Sequence, residues 1–278
     1  MKKFLALLSC AVLMAATAVG CGSQNEKITV VAREDGSGTR SAFSELMGIV
    51  KDDKDNTKDT AEVTNSTSVM LTTVAGNKAA IGYVSLGSLN DTVKAVKVDG
   101  VEATAENVKA GKYAVSRPFN IVTGKDLTPL AQDFISYILS TDGQAVVDAK
   151  GYISVTQGEA YKASGQTGTL TIAGSTSVAP LMEVLADKYM ALNSGVKIEI
   201  QQSGSSAGIT STVEGVCQIG MASRELKDSE TAKGVTATKI AMDGIAVIVN
   251  KDNSYSELTS DQIRKIYTGE TTQWSDLK

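Results

Sequence analysis

Three times in this chain an apolar, strand-like run breaks into glycine, serine and threonine, and a helical pattern starts directly behind it. The first cluster is Arg33-Glu34-Asp35-Gly36-Ser37-Gly38-Thr39-Arg40, and the second is Gly174-Ser175-Thr176-Ser177-Val178-Ala179-Pro180. The third is Ser203-Gly204-Ser205-Ser206-Ala207-Gly208. A repeated strand–turn–helix unit constrains the fold to the α/β class, because each strand needs a helix to cover its face.

The rest of the 278 residues fits that pattern. Ile28–Ala32, Ala79–Leu86, Ala114–Thr123, Thr169–Ala173, Val196–Gln202, Ile219–Ala222 and Thr238–Asn250 read as strands. Apolar residues at helical spacing predict helices around Ala42–Val50, Leu130–Leu139 and Leu181–Leu192. Ala145–Ala149 predicts another. Thr259 or Ser260 is placed to cap a helix through Ile263, Ile266 and Tyr267, with Gly269 closing it. Lys51–Thr60 is a polar loop, and the Gly/Ser/Thr/Gln-rich stretch 156–168 reads as a linker.

The chemistry open to the chain is narrow. It has no histidine, which removes the Ser-His-Asp triad, the Cys-His dyad and histidine-based metal sites. With 27 basic against 31 acidic residues the formal charge is −4, which argues against a nucleic-acid partner. No metal site or cofactor motif is evident. The glycine clusters fail the dinucleotide fingerprint and the P-loop on spacing.

An anion is what those clusters suit. A helix N-terminus offers unpaired N–H groups and the positive end of the helix dipole. Glycine permits close backbone approach, and serine and threonine add neutral donors. Arg33 supplies a planar charge able to grip an oxyanion with two parallel bonds. Asp35 is placed to orient it. One such turn reads first as a plain helix cap; three in one chain point to a small, desolvated oxyanion.

The N-terminus reads as an export address. Lys2 and Lys3 precede an apolar run from Phe4 to Val19, too short for a stable spanning helix. Ala18-Val19-Gly20-Cys21 resembles a bacterial lipobox, in which Cys21 carries lipid and becomes the mature N-terminus. Residues 1–20 are then the signal peptide and 21–23 a lipidated tether. Cys10 leaves with the signal, so Cys217 has no intramolecular partner and reads as a buried thiol.

At these residues the chain resembles the phosphate-binding lipoproteins of bacterial phosphate ABC importers, the PstS type. The stretches that carry the likeness are ITVVAREDGSGTRSAF, NKAAIGYVSLGSL, TLTIAGSTSVAPLMEVLADKY, IEIQQSGSSAGI, IGMASRELKDSE, MDGIAVIVN and LTSDQIRKIYTGETTQWSDL. Their order differs from the family's, where the GSTSVAP half comes first. Here the chain ends at Trp274-Ser-Asp-Leu-Lys278, and the block that follows it in the family stands after Cys21 instead. The order implies a circular permutation.

The resemblance implies a two-lobed periplasmic-binding-protein type II fold with two crossover strands. One lobe would be 119–246, including the 156–168 linker, and the other 24–118 plus 247–278. The crossovers would lie near Ser116–Thr123 and Ala246–Asn250. For function it implies a receptor, not an enzyme, that captures inorganic phosphate in the interlobe cleft. The receptor would be a monomer held to the cell membrane by lipid on Cys21, delivering to permease and ATPase subunits.

Position by position, the resemblance assigns the anion's charge partner to Arg33, held by Asp35. Donors would come from Ser37, Gly38 and Thr39, from Thr176 and Ser177, and from Ser205 with Ser206 in support. Some family members carry an aspartate after the G-x-A-S stretch that accepts the proton of hydrogenphosphate and so rejects sulfate. Here Ser223 is followed by Arg224, either a second anion contact or a surface charge. Asp243 is a candidate replacement acceptor. Three other readings stay open: another oxyanion such as sulfate or molybdate, a Ser-Lys hydrolase, and a rearranged surface lipoprotein without a transport role.

Overall fold

The computed structural model describes residues 26–155 and 158–277. The signal segment 1–20, the tether 21–23, Cys21 and the first two linker positions lie outside the described residues. Among the described residues no helix is long and apolar enough to cross a membrane.

The fold is mixed α/β, organised on one nine-stranded sheet. Its order runs Gly195–Gln202, Thr167–Gly174, Ile219–Ala222, Ser116–Thr123, Thr236–Asn250, Ala80–Ser85, Thr29–Arg33 and Glu62–Thr64. Val93–Ala95 joins the far half of Thr236–Asn250. Gly195–Gln202, Thr167–Gly174 and Ile219–Ala222 are parallel to one another, as are Ala80–Ser85, Thr29–Arg33 and Glu62–Thr64. Ser116–Thr123 runs antiparallel to Ile219–Ala222, and Thr236–Asn250 antiparallel to both of its neighbours.

Thr236–Asn250 organises the molecule. Its 15 residues are rich in Ile, Val, Ala and Thr and almost continuously buried from Ile240 onward, the pattern of a strand covered on both faces. At 3.3–3.4 Å per residue it extends about 50 Å. Residues 236–244 pair with Ser116–Thr123, and residues 245–249 with Ala80–Ser85. Ser116–Thr123 tolerates Pro118 because Ile219–Ala222 pairs only with Asn120–Val122. Pro118 therefore lies where the strand has a single ladder partner.

Packing divides at these two strands. One core joins buried residues between Phe119 and Ala241, among them Phe134, Leu185, Tyr189 and Met221. Two more draw on 28–115 and on 245–274 together, among them Phe43, Tyr83, Val247 and Trp274. Ile245 and Ala246 pack with the second group.

The two chain ends meet. Lys27 bridges Gln273, Ile28 N donates to Thr272 O at 2.8 Å, and Trp274 Nε1 donates to Ala79 O at 3.1 Å. Tyr267 from the last helix, Ser260–Thr268, packs edge-on against Phe43. Thr259 caps that helix with Gln262 answering in a capping box, and Gly269 closes it at φ 83°. The N- and C-terminal segments thus build one lobe between them.

The linker is less loose than its composition suggests. Tyr161 stacks edge-on with Tyr137, and its hydroxyl donates to Asp133 Oδ2 at 2.6 Å. The strand that follows it begins at Thr167, two residues earlier than expected. Cys217 is a free, buried thiol.

Candidate functional site

Four helices start at the junction of the lobes. Gly38–Leu46 and Thr67–Gly76 belong to the lobe built from the chain ends, and Ala179–Leu192 and Ser205–Val213 to the other. Each follows a strand edge through a short turn, as the three glycine clusters predict for all but the second. Their first N–H groups lack intrahelical partners, and their dipoles put positive potential at one point.

The side chains at that point are mostly hydroxyls, and they touch across the junction. Thr39 Oγ1 lies 2.8 Å from Ser177 Oγ, and Thr67 Oγ1 lies 3.3 Å from Thr176 Oγ1. Arg33 Nη2 donates to Thr176 Oγ1 at 3.0 Å. Behind them Ser175 Oγ donates to Ser223 Oγ at 2.9 Å, with Ser205 Oγ 3.4 Å away. All of these side chains are buried.

Gly38 explains how the lobes approach so closely. A Cβ there would lie 2.3 Å from Ser205 Oγ and 2.7 Å from Ser223 Oγ. Gly36, at φ 85°, turns its carbonyl to accept from Ser206 N at 3.0 Å. Ser37 Oγ caps the helix by accepting from Arg40 N.

Three buried arginines surround the hydroxyls, and each has its own carboxylate. Arg33 is gripped by both oxygens of Glu34, at 2.8 and 2.7 Å. Arg117 bonds Asp243 Oδ2 at 3.1 and 3.3 Å, and its Nη1 donates to Ser223 O at 3.1 Å. Arg224 bonds both oxygens of Glu230 at 2.8 Å, and its Nη2 donates to Ser206 Oγ at 3.1 Å. The seat is therefore electrostatically prepared but not strongly cationic.

Burial dominates the buried pair's titration. It pushes the Asp243 carboxyl up to about 6, against the pull of Arg117 and Ser85, and it draws the Arg117 guanidinium down despite Asp243. Glu230 goes the other way: burial raises it, but bonds from Arg224 and the Lys227 amide together hold it below the usual carboxylate range.

Several expected roles move. Asp35 does not hold Arg33; its side chain is 96% exposed at the turn apex and pairs with Arg40 at 2.8 Å. Glu34, one residue earlier, takes that place. Arg224 is not a surface charge, since its side chain is only 5% exposed. Asp243 points at Ser85 and Arg117, not at the hydroxyl cluster. Gly38, Thr39, Thr176, Ser177 and Ser205 come together with Arg33 at the junction.

Two residues besides Glu34 escaped the sequence reading. Thr67 follows Ser66, which caps its helix; the signal was a fourth Ser/Thr turn, Asn65-Ser66-Thr67-Ser68, without glycine. Arg117 is a charge inside an apolar strand, SRPFNIVT. Beside the hydroxyls, a cavity of about 390 Å³ opens between the lobes, lined in part by Ala42, Leu46, Arg117, Arg224 and Lys227. Among the described residues no cluster of carboxylates and cysteines could hold a metal ion.

Comparison with known proteins gives the lineage. The family model described as a PBP superfamily domain matches residues 18–142 and 160–278. Phosphate-binding protein PstS 2 of Streptococcus agalactiae serotype V is 52% identical over 288 aligned positions, covering 99% of this chain and 98% of that one. The crystal structure of a phosphate-binding protein of a phosphate ABC transporter from Streptococcus pneumoniae aligns with TM-score 0.73 and 46% identity, covering 91% of this chain and all of that one. Phosphate-binding protein PstS of Bacillus subtilis is 34% identical, but over 113 positions, 40% of this chain and 38% of that one.

Proposed function

The chain belongs to the PBP superfamily, and from that premise we propose that it is an extracytoplasmic receptor that captures inorganic phosphate between its lobes for an ABC importer. It is a binding protein and not an enzyme. The observation that carries the reading is the cross-lobe seat, in which Arg33, Thr39 and Thr67 of one lobe meet Thr176, Ser177 and Ser205 of the other. Such a seat exists only while the lobes are together, so binding and closure are one event.

The donors suit a small oxyanion. Neutral hydroxyls and helix N-termini stabilise the charge without a compensating array of free cations. Arg33 supplies the directed charge, and Glu34 holds it in place and offsets part of it. No histidine is present to activate a hydroxyl as a nucleophile, which weighs against hydrolysis.

The order of the chain fits a permuted member of this family. The Streptococcus relatives align end to end, whereas the Bacillus relative aligns over less than half. The contacts between 26–28 and 272–274 supply the adjacency that a permutation requires. The lipobox around Cys21 supports a membrane anchor for the monomeric receptor, which puts it where permease subunits can reach its ligand.

The test is a melt of the ligand-stripped mature chain with and without phosphate. A ligand bound only by the native state stabilises it by about 2.7 kcal/mol at a hundredfold excess over Kd. That corresponds to a rise of roughly 5–10 °C for a chain of this size. An unchanged melting temperature in millimolar phosphate would rule the reading out.

A further inference from the structure

The Arg117–Asp243 pair lies outside the hydroxyl cluster but is wired to it. The two residues face each other in register on the crossover strands Ser116–Thr123 and Thr236–Asn250. Their side chains are 1% and 0% exposed, the most buried ion pair among the described residues. Arg117 Nη1 donates to Ser223 O, and Ser223 Oγ belongs to the seat's hydroxyl network. Asp243 Oδ1 accepts from Ser85 Oγ at 3.0 Å on the other side of the hinge.

The groups that face Asp243 are Arg117, Ser85, the Gly87 amide and the phenols of Tyr113 and Tyr152. Both phenols are pushed up by burial and stay neutral, so Arg117 supplies the positive charge that answers Asp243. Arg117 also feels the charge of Arg33. The Arg117 guanidinium is thus held between the Asp243 carboxylate and Ser223 of the hydroxyl network.

We propose that Asp243 acts through Arg117 as a built-in counter-ion that limits how tightly the seat holds a doubly charged anion. The inference rests on the phosphate reading above. A receptor must give its ligand up, and an arginine left unpaired beneath the seat would hold a dianion too long. In a poorly screened interior, removing one charge a few ångströms behind a ligand changes its energy far more than it would in water. Asp243 is thus a positioning residue for charge, not a contact of the anion.

The experiment is a calorimetric titration of the ligand-stripped full mature chain with phosphate and with sulfate at pH 8. Asp243→Asn keeps the shape and an acceptor for Ser85 or Arg117 while deleting the carboxylate charge. It is expected to tighten both anions about tenfold. The double variant Asp243→Asn/Arg117→Met removes both charges and should reverse most of that gain. A purely structural pair gives the opposite sign, since loosening the hinge weakens binding. Unchanged or weaker binding by Asp243→Asn, in a wild type that does bind phosphate, overturns the inference and leaves the receptor reading intact. A wild type that binds neither anion overturns both. If Asp243→Asn does not fold, Asp243→Ala, which also deletes the charge, takes its place: tighter binding of both anions supports the inference, and unchanged or weaker binding contradicts it.

Discussion

Thr39 Oγ1 and Ser177 Oγ lie 2.8 Å apart although 138 residues separate them. One stands in the first turn of its helix and the other just before a helix of the opposite lobe. A bond of that length between lobes exists only with the cleft closed, so the site and the closed state are the same object. Substitutions at the junction should therefore change binding more than stability.

Arg33→Ala removes a buried guanidinium and leaves the partly exposed Glu34 without its partner. Truncating such a group costs about 2–5 kcal/mol of binding. Phosphate affinity measured by calorimetry should fall accordingly, from tens-fold to several-thousand-fold. An unchanged affinity would mean that Arg33 is not the charge partner.

Gly38→Ala tests the close approach. The added Cβ meets Ser205 Oγ and Ser223 Oγ across the cleft. Overpacking of this kind costs about 1–3 kcal/mol, and it falls on the closed state alone. Phosphate affinity should drop while the ligand-free melting temperature stays within a degree or two of wild type. Equal losses in both would show that the lobes are locked together without ligand.

Trp274→Ala probes the lobe assembled from both chain ends. The indole is 1% exposed, stacks on Tyr255 and donates to Ala79 O. Replacing a buried tryptophan by alanine costs about 3–5 kcal/mol, and urea unfolding should show it. A loss below 1 kcal/mol would mean that the C-terminal segment is only loosely docked.

The pH dependence of stability follows from Asp243. Its carboxyl is raised from 3.8 to about 6 in the folded protein, chiefly by burial. The folded state then binds the proton more tightly than the unfolded state. The contribution is fully present below about pH 4 and is lost as pH rises through 6. Asp243→Asn should abolish that loss, so its melting temperature should gain on wild type between pH 4 and pH 6. Parallel profiles would remove Asp243 as the cause.

The α/β alternation and three of the four turns that meet at the junction were legible because they are local. A strand, a glycine and a hydroxyl cap are neighbours in sequence. The fourth turn was not, because Glu62–Thr64 is only three residues long and two of them are exposed. Glu34 and Asp35 could not be ranked from sequence, since only the turn geometry decides which carboxylate faces inward. Arg117 and Asp243 are 126 positions apart, and strand register alone makes them partners. Tyr161 likewise looked like linker until Asp133 and Tyr137 gave it a seat.

The most direct measurement is a titration of the ligand-stripped mature chain with phosphate, followed by calorimetry, for wild type and for Thr39→Val. The valine keeps the bulk of Thr39 and removes the hydroxyl that meets Ser177. Saturable one-to-one heat is expected for wild type at micromolar protein, with a clear loss of affinity in the variant. No phosphate heat for wild type, or identical binding in the two, would contradict a phosphate seat between the lobes.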